Sequence, residues 1–270
     1  MKLIHFLIIA ITIGAANGLL IDNNTIAYYS FNTTGFSQAN SFPVTLALNN
    51  SATWISNAKN GGGISLTDGN INKINLSNAL NITADVTVAF WIYPINSYCK
   101  DSTQIFGRRN GVVGGSWGTY YSWLKANCTI DLYLEGNSVD SAAFRSRSAL
   151  ATQKWSHIAF TYNNSTKNVI LYINGEVENL NGTANSTYAA HGLYYGGSFT
   201  TYFGGGTPGT TSLNETIDQV LISARAYSQK EIQALYNGGA GCEYYDALYS
   251  TNVCGETTYA NKASFMGVGP

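Results

Sequence analysis

Across the middle of the chain, apolar and polar residues alternate with a period of two, and turn residues break the alternation at short intervals. Val86 to Tyr93 (VTVAFWIY) places Val86, Val88, Phe90 and Ile92 on one side and Thr87, Ala89, Trp91 and Tyr93 on the other. Thr129 to Glu135 (TIDLYLE) aligns Ile130, Leu132 and Leu134 in the same way. Strands are also expected over Trp155 to Tyr162, Val169 to Asn174, Gly192 to Phe203 and Thr216 to Ser223. Asn174-Gly175 is a type I′ hairpin signal, because Asn and Gly tolerate its two positive φ angles. A chain patterned this way must pair its strands into sheets and bury one face of each.

One helix interrupts the pattern. Ser228-Gln-Lys-Glu231 is a capping box, in which the serine oxygen and the glutamate carboxylate each accept from a backbone N–H near the helix start. Ile232, Leu235 and Tyr236 then share a face, and Asn237-Gly238-Gly239 ends the helix. Many strands with one short helix suggest a two-sheet sandwich. No internal repeat or linker divides the chain. Residues 241–270 differ in composition and read as a clamped, polar tail.

The surface chemistry is unusual. Charged residues are 11% of the 270, against about 25% in an average soluble protein, and the net charge is −1. No basic stripe offers itself to nucleic acid or to an anionic membrane surface. Solubility must come from Asn, Ser, Thr and Tyr. The N-terminus has Lys2, an apolar run from Leu3 to Ile13 and small residues at Ala15, Ala16 and Gly18. This is the pattern of a secretory signal peptide over residues 1–18, too short for a bilayer span. An exported chain then uses its four cysteines as disulfides. Three connectivities exist; Cys99–Cys128 and Cys242–Cys254 are preferred because each keeps its members in one region. Asn-x-Ser/Thr sequons at Asn23, Asn32, Asn49, Asn75, Asn81, Asn127, Asn163, Asn164, Asn181, Asn185 and Asn214 are candidate glycan acceptors.

Taken in order, IAYYSFNTTG, GGGISLTDGN, ITADVTVAFWIYP, KWSHIAFTYNNSTKNVILYINGEVEN and TIDQVLISARAYSQKEIQALYNGG resemble the laminin-G-like domains of the concanavalin A-like lectin/glucanase superfamily. The resemblance spans roughly residues 25 to 239. It implies an all-β, two-sheet antiparallel jelly-roll sandwich with one short C-terminal helix, occupying residues 19–240. It also implies that His157 is a strand residue beside the core. A catalytic histidine would need an orienting acid and a nucleophile or metal, and none is near it in sequence.

The resemblance leaves function open, since this fold carries lectins, adhesion modules and hydrolases. Glycoside hydrolysis needs two carboxyl groups within about 5–9.5 Å. Hydrolytic relatives carry alternating acids on one strand. Here Asp131 and Glu135 share a face but lie about 13 Å apart along a strand, with Tyr133 between them where a carboxylate is needed. Glu176 and Glu178 follow a hairpin turn, an ordinary place for solvent-facing acids. No catalytic residue is assigned. Relatives often hold a structural Ca2+, which the resemblance places at Asp68 and Asp218; the first-strand loop has lost its acid, leaving carbonyls and the amides of Asn32 or Asn40 as substitutes. Zinc is not expected, as no C-x-x-C pair exists.

Sugar binding needs aromatic platforms beside hydrogen-bonding groups. Trp117, Tyr120, Tyr121 and Trp123 form one candidate set, and Tyr194, Tyr195 and Tyr202 another, each flanked by glycine. Alternation puts Tyr120 with Ser122 on one face and Tyr121 with Trp123 on the other. The sequence therefore points to a secreted, non-catalytic binding or adhesion module whose partner is a glycan or a surface protein. A structural component of a surface layer or appendage is the alternative, and a glycoside hydrolase comes third.

Overall fold

The computed structural model describes residues 24–31, 46–49, 52–67, 73–76, 82, 84–101, 103–109, 118–135, 141–178, 193, 200–204 and 214–241. These form two antiparallel sheets packed face to face. Sheet I orders β13 (Glu176–Glu178), β12 (Asn168–Ile173), β11 (Ser156–Asn163), β6 (Val86–Pro94), β15 (Glu215–Ser223), β4 (Gly63–Leu66) and β3 (Thr53–Ile55), with β1 (Thr25–Tyr29) also beside β15. Sheet II orders β10 (Ser141–Ala149), β9 (Thr129–Glu135), β8 (Gly118–Leu124), β7 (Thr103–Arg109), β14 (Thr200–Gly204), β5 (Lys73–Leu76) and β2 (Leu46–Asn49). Sequence neighbours β6 and β7 lie in different sheets, and β14 and β15 cross back the same way, as a jelly roll requires.

The core follows from the alternation. Val86, Val88, Phe90 and Ile92 of β6 and Ile158, Phe160 and Tyr162 of β11 meet Ile130, Leu132 and Leu134 of β9. At its centre Phe90 and Phe160 of sheet I contact Phe106, Tyr120 and Phe203 of sheet II. Phe106 and Phe160 stack at 5.4 Å, and Phe90 meets Phe203 edge-on at 5.1 Å. Each such aromatic pair is worth about 0.5–1.5 kcal/mol beyond its buried area. Cys99, in the loop that crosses from β6 to β7, is bonded to Cys128, in the β8–β9 turn, so the bridge ties the crossover loop to sheet II. In the chain-entropy account a loop of this size stabilises by about 3–4 kcal/mol.

The partner strands of β15 change along its length. Glu215 to Ile217 pair with β4, whereas Val220 to Ser223 pair with β1. A bulge at Asp218–Gln219 separates the two stretches, and Gln219 takes φ 47° there. The hairpin after β12 has positive φ at both Asn174 (54°) and Gly175 (80°), as the Asn-Gly signal requires.

Helix α1 (Gln229–Tyr236) covers the outer face of sheet I. Both halves of its capping box form, and Asn237 ends it in the left-handed region. Ile232 and Leu235 pack with Tyr28, Ala89, Ala159, Tyr172, Leu221 and Tyr227. Ala89 and Ala159 are cross-strand partners in mid-sheet, and their small side chains make the trough in which the helix sits. Of the strand expected over Gly192 to Phe203, the described part is β14. Residues 1–18, the tail 242–270 and hence the Cys242–Cys254 pair lie outside the described residues. Among the described residues no helix is long and apolar enough to cross a membrane.

Candidate functional site

The outer face of sheet II carries two rows of side chains that the strand register aligns. One row runs Gln104 (β7), Trp123 (β8), Asp131 (β9) and Arg145 (β10). The next runs Tyr202 (β14), Gly107 (β7), Tyr121 (β8), Tyr133 (β9) and Ala143 (β10). Cross-strand pairs of this kind interact directly. The rings of Tyr121 and Tyr133 stack at 4.9 Å and 5° from parallel, with Trp123 edge-on to Tyr121 at 6.3 Å. Gly107 is where the face is closest. A Cβ there would lie 2.8 Å from Gln104 Nε2 and 2.8 Å from Tyr121 Cβ, so glycine lets the tyrosines close over the strand. Gln104 Nε2 donates to the Tyr202 hydroxyl at 2.8 Å.

The two rows differ from one end to the other. Tyr202 and Tyr121 are buried, whereas Trp123 and Tyr133 are partly exposed and Ala143 is exposed. Arg145 donates from Nε and Nη2 to the two oxygens of Asp131 at 2.6 and 2.7 Å. The Arg145 side chain is 51% exposed and that of Asp131 only 4%, so the pair holds a guanidinium at the surface on a buried carboxylate. This carboxylate and its hydrogen bond keep the Arg145 guanidinium well above its ordinary value. Burial, then the Asp131 carboxylate, raises the Tyr133 hydroxyl. Nearby, Lys125 pairs with Asp101 at 2.9 Å.

The expected aromatic sets divide accordingly. Trp123 and Tyr121 stand on the outer face as alternation requires. Tyr120 does not face a ligand: it is turned into the inter-sheet core, where burial pushes its hydroxyl up to about 12. Tyr202 points outward but is buried. Trp117, Tyr194 and Tyr195 lie outside the described residues. Tyr133, Asp131 and Arg145 are the members that the candidate sets omit. Tyr133 and Asp131 stood in view as a broken acid motif, but only the β9–β10 register brings Arg145 to them.

The remaining candidates have structural partners. Asp218 accepts from Asn60 N at 2.9 Å and from Gln219 N at 2.6 Å, pinning the 56–62 loop and the β15 bulge. Asp68 lies outside the described residues, and among the described residues no group of three His, Cys, Asp or Glu side chains gathers to hold a metal ion. Glu178 accepts from the backbone of Arg147 and Ser148, and Glu176 from Gln233. His157 is buried against Trp91 and Tyr236 beneath α1, and desolvation lowers its pKa to about 3. Of the sequons, Asn127 is exposed in the β8–β9 turn, Asn163 ends β11 and Asn164 opens the β11–β12 turn.

A two-sheet jelly roll whose one face is sealed by a helix defines a class of lectin-like sandwich. A laminin-G model of the concanavalin A-like lectin/glucanases superfamily matches residues 67–233, and the chain belongs to that family. No curated protein matches it in sequence. Among solved structures it is similar to the binding domain of botulinum neurotoxin serotype G (TM-score 0.59, 16% identity, 79% of this chain and 50% of that one). The serotype D ligand binding domain in complex with N-acetylneuraminic acid is also similar (TM-score 0.60, 16% identity, 80% and 51%). So is domain 4 of an extracellular arabinanase from Geobacillus stearothermophilus in complex with arabinotriose (TM-score 0.58, 18% identity, 78% and 97%). The chain thus spans about half the length of the neurotoxin domains it resembles. At these identities the likeness is one of fold.

Proposed function

We propose that the chain is an exported, non-catalytic carbohydrate-binding module acting at a cell or particle surface, with its ligand on the outer face of sheet II. One observation carries the reading: partly exposed Trp123 and Tyr133 stand beside the Asp131–Arg145 ion pair on adjacent positions of a rigid sheet. A saccharide presents apolar C–H faces edged by hydroxyls, and this surface offers rings for the first and charged hydrogen-bonding groups for the second. The arabinotriose and N-acetylneuraminic acid complexes of similarly folded domains support the same class of ligand. The apolar N-terminal run, the Cys99–Cys128 bridge and the low charge support export.

Assembly through open sheet edges has less support. The edge strands β10 and β13 are joined where Glu178 accepts from Arg147 N and Ser148 N, and the opposite edges, β2 and β3, are short. The test is glycan-array binding by the secreted protein, with calcium and again with EDTA. Binding that survives EDTA and is lost in Trp123→Ala and Tyr133→Ala is the expected result. Absence of binding by folded protein in both buffers would overturn the reading and favour a structural role.

A further inference from the structure

We propose that the site takes a neutral sugar ring, laid against the outer face of Tyr133 above Ala143, and disfavours anionic saccharides. The inference rests on the carbohydrate-binding reading and specifies its ligand class. Neighbouring strands lie about 4.8 Å apart. Two rings on paired strands that stack at 4.9 Å and 5° must therefore stand upright, with their planes across the inter-strand direction. Tyr121 covers one face of Tyr133. The other face looks toward β10, where the cross-strand partner is exposed Ala143, a single methyl group. The result is a trough one strand wide, walled by an aromatic face and floored by a methyl.

Arg145 closes one end. Asp131 takes two of its five N–H donors, and the rest remain at the surface for hydroxyl oxygens. Two ion pairs beside the trough are internally matched: Arg145 with Asp131, and Lys125 with Asp101. A carboxylate or sulfate entering here would displace or face the Asp131 carboxylate, which is a repulsive element against acidic ligands. A hydroxylated neutral ring leaves both ion pairs intact.

The experiment measures binding of neutral arabino-, xylo- and manno-oligosaccharides against sialyllactose and a heparin oligosaccharide, at about 50 and about 500 mM NaCl. Wild type should bind a neutral probe most tightly, with less than about twofold salt dependence. Ala143→Leu fills the trough while leaving Tyr133 and both members of the ion pair unsubstituted, and should weaken binding by about tenfold or more. Thermal unfolding checks that the variant is folded. Tighter binding of the acidic probes, or undiminished binding by folded Ala143→Leu, overturns the neutral-ring subsite and leaves the carbohydrate reading standing. Failure of folded wild type to bind any saccharide overturns both.

Discussion

The outer faces of the two sheets start from the same kind of strand and end in opposite states. On sheet I, the outward positions of β6 are Thr87, Ala89, Trp91 and Tyr93, and most are covered. Thr87 accepts from Tyr227 N, Ala89 lies under Leu235, and Trp91 stacks on Tyr236 at 5.8 Å with Lys59 Nζ 4.6 Å above its ring. Lys59 also donates to the carbonyl of Gly239, holding the turn after α1 in place. Burial lowers the Lys59 ammonium, with Asp218 opposing. On sheet II the outward tryptophan, Trp123, has Tyr121 as its one ring neighbour among the described residues and remains partly exposed. An aromatic on a strand is thus structural or available according to what the chain lays over it, a distinction residue type does not carry.

The largest effect should come from removing the covered ring. Trp91→Ala would open a cavity between sheet, helix and Lys59 loop, and is expected to destabilise by about 3–5 kcal/mol in urea unfolding. Because Trp91 is on the far side of the sandwich from the aromatic rows, saccharide binding by the folded fraction should be unchanged. Loss of binding without loss of stability would reverse the roles assigned to the two faces.

Next come two buried groups, both in sheet I. Among the described residues His157 Nδ1 has no hydrogen-bond partner, and neither carboxylate oxygen of Glu215 has one; Glu215 is fully buried opposite Leu66 and Pro94. Desolvation lowers the histidine from 6.5 to about 3 and raises the glutamate well above 4.5. Their signs are opposite. Between about pH 6.5 and pH 3 the unfolded chain binds the histidine proton and the native chain does not, so stability present above pH 6.5 is lost as pH falls. Glu215 keeps a proton when folded that it releases when unfolded above pH 4.5, so its contribution is lost as pH rises through the folded value. His157→Leu should flatten the acid limb of a stability–pH profile, and Glu215→Met the alkaline limb. Unaltered limbs in both would show that the sheet I groups titrate as if exposed.

Much of this architecture was legible in the sequence, and the gaps have physical causes. β6, β9, β11, β12 and β15 alternate cleanly or run continuously apolar, and the Ser228 box and Asn237 stop fix α1 within a residue. β7 and β10 are hidden. In β7 a bulge after Gln104, the bare Gly107 and an inward Arg108, buried and donating to Thr119 Oγ1 at 2.7 Å, break the period. In β10 the inward Ser146 is polar because it receives Ile130 N and donates to Ser148 O, so the strand reads as a loop. Missing β10 meant missing Arg145 and Ala143, hence half of the candidate site. Register is a property of pairs of strands, and no single segment states it. The separation of Tyr120 from Tyr121, by contrast, needed only alternation.

A smaller effect tests the cover itself. Ser228→Ala removes the oxygen that caps Glu231 N and should lower stability by about 1 kcal/mol. The loss should appear as faster amide exchange in α1 and at Ala159 and Leu221 beneath it, while exchange in β8 and β9 stays at wild-type levels. Uniform acceleration in both sheets would mean that α1 is not a separable lid on sheet I but part of one cooperative unit.

Trp123→Ala should have the smallest effect on stability and the clearest meaning. The ring is partly exposed and meets Tyr121 edge-on, so its loss should change unfolding free energy by less than about 1 kcal/mol. That is a fraction of the Trp91→Ala effect, from the same substitution on the same kind of strand. If the outer face of sheet II is kept open for a ligand, saccharide binding should nevertheless fall, because Trp123 adjoins both the tyrosine stack and the Asp131–Arg145 pair. A destabilisation as large as that of Trp91→Ala would place Trp123 in a structural role and equate the two faces. A small destabilisation with lost binding would separate them by function, on the side of the molecule where the helix is absent.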